Sequence, residues 1–543
     1  MSLASLVLAT AVLGPGCGDS LTAADWQADL RHLVAELHRL HPALHRHLPK
    51  PQFDSAVAAL DARIPALSPD QRLVELARLV ASIGDGHTFL PVGQPMAAVR
   101  MRGYPVAFHH FSDGLFVEAA ESAYASLVGA HVVRVGGRPV DEALAAVGAL
   151  VSAENPMWVR RWAPVLLARA EVLRALGLAD SAARVTLTVR RDARDTTVVL
   201  QPSATPRPTG HGGYIRGEGW VVARGDRVPL WQRNPDQPFW FQYLPASRTL
   251  YLQYNEITDG EKEPVAGFFQ RVAAFAASRP VDRFVLDLRL NGGGDNTLNR
   301  AVVKTILLSP RLNRPGRFFT LIGRQTFSAA QNLVNELEKY TNTVFVGEPT
   351  GSRPNMAGDA VPVRLPRTGV TVFVSTLWWQ DMDPRDRRLW TPPAVAAELS
   401  SVDFRRGRDP ALDAVLRGGA GIPLPTMMRE GLRGGGLQLA LRRYREYRSD
   451  PVHRYVDTEP LVRDLAVSLA QEGQTAEAFA LIELNAAEHP ASGDAQYMLG
   501  EAYLRTGDRQ RAAELLERAV ALDPRHAGAI HRLHELREAG QGH

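Results

Sequence analysis

The chain has 543 residues, of which 45% are hydrophobic and 22% charged, a composition of soluble globular proteins with room for roughly three or four domains. The net charge of +4 is small for this length, and no Lys/Arg run is dense enough to serve as a nucleic-acid arm. A single cysteine, Cys17, excludes an intrachain disulfide.

Residues 1–22 read as a leader. LASLVLATAVLGPGC is too short for a membrane span and suits a signal-peptide core. Cys17 at its end invites a lipoprotein reading with a lipid anchor, against which stand the lack of a preceding Lys or Arg and the Gly14-Pro15-Gly16 approach. The expected location is the periplasm or cell envelope. Residues 23–100 read as a helical domain, with apolar residues at three- and four-residue spacing in WQADLRHLVAELHRL and QRLVELARLVASI. Residues 101–205 switch to short β runs with glycine turns, such as VAFHHF, GLFVEAA and ARVTLTVRR, around a helical stretch near 155–180.

Residues 206–247, rich in Gly, Pro and Trp, read as a connector. From 248 to 418 strands alternate with helices: TLYLQYN, RFVLDLRL, RFFTLIG and TVFVGE are strands, and VTVFVSTLWW is a further one. Residues 419–460 read as a helical linker. Over 461–538, Leu465, Leu469, Gly473, Ala478, Leu481 and Pro490 recur 34 residues later (499 − 465) as Leu499, Tyr503, Gly507, Ala512, Leu515 and Pro524. That is the tetratricopeptide period. Flanking helices are needed to complete so short a stack.

Several segments carry residues suited to chemistry. In GRQTFSAAQNL a strand, a short turn and a helix meet at Ser328. A serine there is often just a helix N-cap. At an exposed strand–turn–helix corner it is also a nucleophile, with the Ala329 N–H aimed at an oxyanion. In LDLRLNGGGD three glycines follow a strand. They make a tight turn or a close backbone approach to a substrate carbonyl, whereas a phosphate loop lacks its lysine. His87 in SIGDGHTFL is a structural histidine or a base for a serine. WWQDMDPRDRRLW holds Asp381, Asp383 and Asp386 among arginines, which is either a loop of ion pairs or the source of a carboxylate for a histidine. His38, His41, His45 and His47 sit at helical spacing, but Pro42 interrupts them and no acidic residue stands between, which argues against zinc.

In order and spacing, LDLRLNGGGD, TFSAAQNL, VFVGEPTGSRPN and SSVDFRRGRDPALDAVL resemble the signature segments of the tail-specific (C-terminal processing) protease family over roughly residues 30–418. The resemblance implies a multidomain α/β protein: an N-terminal helical domain, a degenerate PDZ-like domain at 101–205, a crotonase/ClpP-like catalytic core and C-terminal tetratricopeptide repeats. It implies a serine peptidase acting on protein or peptide substrates, with Ser328 as nucleophile and no cofactor. Many members pair the serine with a lysine. That position here is Arg353, 25 residues on (353 − 328), which cannot act as a base. Lys339 lies along the following helix, about 16 Å away at 1.5 Å per residue. The Ser–His–acid branch of the family implies His87 as base and Asp386, 58 residues after the serine (386 − 328), as acid, with Asp381 and Asp383 as alternatives. Gly293 and Ala329 are then the oxyanion donors, and Asn255 faces the substrate cleft. The tetratricopeptide repeats imply a protein partner. The competing expectation is a non-catalytic envelope scaffold, in which Trp378, Trp379 and Trp390 line an apolar ligand pocket.

Overall fold

The computed structural model describes residues 21–92, 101–203, 219–418 and 421–541. Cys17 and nearly all of the leader lie outside these. The chain divides into two compact units, residues 1–419 and 420–543.

In the first unit, the helix Ala23–Leu40 opens on a capping box between Thr22 and Asp25, and Trp26, Leu30, Leu33 and Leu37 bury one stripe. The helix Pro69–Ala81 opens on a second box, Ser68 with Gln71. These helices share a core with a seven-stranded sheet of antiparallel pairs, whose main path runs from Val106–Phe111 to Arg194–Leu200. The helices Pro156–Leu166 and Ala170–Ala175 are inserted between its strands. The hairpin Val361–Arg364 with Thr371–Val374 joins the same core through Val363, Val372 and Val374.

Residues 239–396 build a six-stranded sheet in the order Val395–Ala396, Val344–Gly347, Phe318–Ile322, Arg283–Asp287, Thr249–Tyr254, Phe239–Leu244. All neighbours are parallel except the last pair. The helices Val265–Ser278, Asn299–Leu308 and Ala329–Tyr340 bury their apolar faces against it. In such sheets ligands gather beyond the carboxyl ends of the strands, and the segments Leu288–Asp295 and Gly323–Ser328 leave the sheet there.

Two sequence expectations need correction. The connector 206–247 contributes structure on both sides: Trp220–Val222 pairs with residues 119–121, and Phe239–Leu244 is the antiparallel edge of the core sheet. The surrounding Pro and Gly obscured the alternation in FWFQYL. VTVFVSTLWW is not one strand of that sheet. It breaks at Ser375-Thr376 into Thr371–Val374 and Leu377–Trp379, which pair with different hairpin partners.

In the second unit, the helices Thr458–Gln471, Thr475–Glu488, Gly493–Thr506 and Arg509–Leu522 alternate with short turns. The segment Leu424–Ser449 is broken at Gly435 and Gly436, where φ reaches 68° and ψ −165° at Gly436. The chain folds back there, so Gly431 meets Ala440 and no side chain fits between. Leu424, Met428, Tyr444 and Tyr447 share a core with Val462, Leu465 and Leu481. The flanking segment thus completes the stack, as so short an array requires.

Candidate active site

Arg289 ties the site to the rest of the core. Its guanidinium donates to both oxygens of Asp287 and to both oxygens of Asp409, at 2.6–3.1 Å. Two of the motifs, LDLR and RGRDP, meet in this buried ion cluster, and Asp409 also caps the helix Pro410–Arg417. Fixing residue 289 in this way fixes the start of the glycine turn.

Ser328 occupies the N-cap position of the helix Ala329–Tyr340 but does no capping: its side chain accepts no hydrogen bond from the helix. Its backbone sits at φ 57°, ψ −130°, a sparsely populated region for a residue with a Cβ. The structure holds it there from both sides. The Ser328 N–H donates to Ser352 Oγ at 3.2 Å, and its carbonyl accepts from Gln331 N at 2.8 Å and Asn332 N at 3.2 Å. The hydroxyl has no partner among the described residues and is partly open to solvent. The bland reading of this serine as a cap therefore fails.

Gly293 lies against the serine. A Cβ on it would stand 2.7 Å from Ser328 Cβ and 3.0 Å from the Ala329 nitrogen, and its φ of 104° is already one for glycine. The Ala329 N–H has no acceptor among the described residues, and it opens the helix, where the dipole favours negative charge. The Gly293 N–H donates to Asn291 Oδ1 at 2.9 Å, so in this conformation it is not available to an oxyanion.

His87 lies in the turn after Pro69–Ala81. Phe89 exchanges two backbone hydrogen bonds with Phe373, each 2.9 Å, and Ser375 N donates to Thr88 Oγ1 at 3.0 Å. These clamp the turn to the core sequence. The imidazole is 3% exposed and stacks on Phe327, the residue before Ser328, at 4.5 Å between ring centroids. Phe327 also stacks on Trp158 at 3.9 Å. Among the described residues neither imidazole nitrogen has a hydrogen-bond partner, so the ring reaches the residue before Ser328 without bonding the serine hydroxyl. Burial lowers the pKa of His87 below the ordinary histidine value, opposed by the negative charge of Asp85 and of Asp359, which favours the neutral imidazole a base requires.

The carboxylates beside His87 are Asp85 and Glu154, with His87 the one His/Cys/Asp/Glu trio among the described residues whose ligand atoms all lie within 4.8 Å of one another. Asp85 accepts from His41 Nε2 at 3.0 Å and from the Ser375 hydroxyl through Oδ2, and from the His87 backbone N–H at 2.8 Å through Oδ1. Burial would raise its pKa, but these bonds and the neighbouring histidines prevail and hold it well below the usual carboxylate range. The Glu154 carboxyl accepts from the Arg353 N–H at 2.8 Å and is also approached by the Gly86 N–H. Burial, and then the Asp85 charge, push it up to about 8.

Asp386 is not the partner of His87. Its carboxylate is held by the Arg388 side chain at 2.8–3.1 Å, which also binds Glu338. Asp383 binds Arg385, and Asp381 is tied to the helix through Lys339, whose Nζ donates to its carbonyl. The loop of ion pairs is the correct description, and arginine crowding is the physical reason. Asn255 does not face a cleft either: it is 1% exposed, accepts from Gln253 Nε2 and donates to the Gln237 carbonyl at 2.9 Å. Of the histidines at 38–47, His41 serves Asp85, while His38 and His45 pack against Phe53. Trp378 lies under Arg46, and Trp379 donates to Asp359.

Asp85 was within sight of the sequence reading, two residues from His87 in GDGHT. Glu154 and Trp158 were not, because they come from a helical insertion between strands of the antiparallel sheet.

Comparison with known structures shows what this fold is similar to. Mature CPAF in complex with lactacystin aligns with a TM-score of 0.53 at 16% identity, covering 73% of this chain and 98% of that one. Mature CPAF alone gives a TM-score of 0.52 at 16% identity, over 73% and 97%. The photosystem II D1 C-terminal processing protease aligns with a TM-score of 0.35 at 14% identity, over 73% and 97%. A family model for the tetratricopeptide repeat matches residues 469–536. No curated protein matches the chain in sequence. The protein has a multidomain α/β architecture whose fold is similar to that of mature CPAF. Tetratricopeptide repeats follow that fold at its C-terminal end.

Proposed function

We propose that this protein is a serine peptidase of the tail-specific type, hydrolysing peptide bonds of protein or peptide substrates through Ser328. The observation that carries the reading is the state of Ser328: a strained backbone, a helix N-terminus behind it and a hydroxyl not engaged in capping. Strain of that kind has a cost of about 1–3 kcal/mol and persists where function requires it.

In this mechanism His87 takes the Ser328 proton as the hydroxyl attacks the substrate carbonyl, and returns it to the leaving amine. The Ala329 N–H holds the oxyanion. Gly293 allows the carbonyl to approach, and its own N–H becomes a second donor once it leaves Asn291. Asp85 supplies the negative charge that stabilises the imidazolium, in place of Asp386. The hydrogen bond from Ser328 to His87 forms on substrate binding, as catalytic bonds often tighten only then. The Phe327 stack is what must yield. The antiparallel-sheet domain acts as a PDZ-like module that receives an extended peptide by strand addition. The protein works in the cell envelope, and its repeats recruit a protein partner.

The test is hydrolysis of an unstructured protein substrate by wild type, Ser328→Ala and His87→Ala. Cleavage by wild type falling at least about a thousandfold in both variants supports the reading. Equal cleavage by Ser328→Ala refutes it.

A further inference from the structure

Asp85, His87 and Glu154 form a cluster that hydrolysis alone does not explain. They are 4%, 3% and 7% exposed. Among the described residues neither nitrogen of His87 has a hydrogen-bond partner. A buried polar atom without a partner has a cost of about 1–3 kcal/mol, and one ligand atom from each of the three residues lies within 4.8 Å of the others.

We propose that Asp85, His87 and Glu154 bind a divalent cation of the zinc class, and that this cation switches the peptidase off. One imidazole nitrogen and two carboxylate oxygens are a donor set that zinc accepts, with a fourth position for water. Zinc ligands about 2.0–2.1 Å from the metal stand about 3.3 Å apart, so the trio needs only a modest closure. The outer shell is already in place. His41 and Ser375 orient Asp85. The Arg353 N–H holds Oε2 of Glu154. Such outer bonds orient metal ligands and tune affinity. Magnesium, which demands oxygen ligands in octahedral array, does not fit a site containing imidazole. A metal on either imidazole nitrogen leaves the ring's one proton on the other, so no lone pair remains to accept the serine proton and bound metal and general base exclude each other. It also joins the turn carrying His87 to the inserted segment carrying Glu154. Binding is independent of the catalytic reading; inhibition rests on it.

The experiment uses the full chain. Cobalt(II) absorption and zinc competition measure binding in wild type and in Glu154→Gln, a near-isosteric change that keeps an acceptor for Arg353. Thermal unfolding verifies that the variant is folded, and fluorophosphonate labelling of Ser328 is followed with and without zinc. The expected result is one saturable site in wild type, tetrahedral cobalt absorption, and affinity at least about tenfold weaker in Glu154→Gln. Zinc should block labelling of wild type reversibly on chelation, while metal-free labelling of Glu154→Gln stays normal. Absence of saturable cobalt and zinc binding to wild type overturns the proposal, as does equal affinity in the two proteins. Binding that is lost in Glu154→Gln but leaves wild-type labelling untouched supports the metal site and removes His87 as base, which separates the two claims.

Discussion

Gly293 lies so close to Ser328 that a methyl group on its Cα would stand 2.7 Å from Ser328 Cβ. Gly293→Ala also adds a Cβ at φ 104°. The variant should lose about 1–3 kcal/mol of stability, measured by denaturant unfolding. Its labelling by a serine-directed probe should fall by more than about tenfold, because a misplaced nucleophile costs rate steeply. Normal labelling would mean that the glycine turn does not position the serine.

The strain at Ser328 predicts an unusual ordering of stabilities. Glycine tolerates φ 57°, ψ −130° and alanine does not. Ser328→Gly should therefore be more stable than Ser328→Ala by about 1 kcal/mol, read as a shift in denaturant midpoint. At an ordinary N-cap the difference between the two is about 0.7 kcal/mol.

Substitution separates the acids. Asp386→Ala breaks an ion pair with Arg388 that Glu338 still satisfies. Its hydrolysis rate should stay within about twofold of wild type, as for a loop ion pair. Asp85→Asn removes the buried charge beside His87 and should lower kcat by about a hundredfold or more with KM little changed. His41→Gln, which removes only the Asp85 partner, should fall between them. The reverse order, with Asp386→Ala the inactive variant, would restore the acid expected from the sequence.

The protein should lose stability in mild acid. Burial, then Arg160 and Arg324, pull the pKa of His110 down from 6.5 to about 4, opposed by Glu348, and His109 moves in the same direction. A histidine kept neutral in the fold binds fewer protons than in the unfolded chain between those values, so stability rises with pH across that window. The contribution is complete above about pH 6.5 and is lost as pH falls toward 4. Urea midpoints at pH 7 and pH 5 check this. His110→Gln should narrow the difference between them.

Much of the architecture was legible because it depends on short-range pattern. The alternation of strands and helices, the serine corner, the glycine turn after RFVLD and the 34-residue period (499 − 465) all leave local marks. The functional weight of LDLR and RGRDP was visible only as resemblance; the structure gives its physical content, the clamp of Arg289 between Asp287 and Asp409. What was not legible is assembled across the chain. Asp85 gains its charge environment from His41 and Ser375, 44 and 290 residues away. Glu154 reaches His87 from an insertion whose own pattern is simply helical. Asp386 had the right spacing but a neighbouring arginine with a prior claim, which spacing cannot reveal.

The most direct measurement is covalent labelling with a fluorophosphonate followed by mass spectrometry of the labelled peptide. The account predicts one adduct, on Ser328 within the peptide that begins after Arg324, formed by wild type and absent when His87 is replaced by alanine. An adduct on another serine, or none from folded protein, would contradict it.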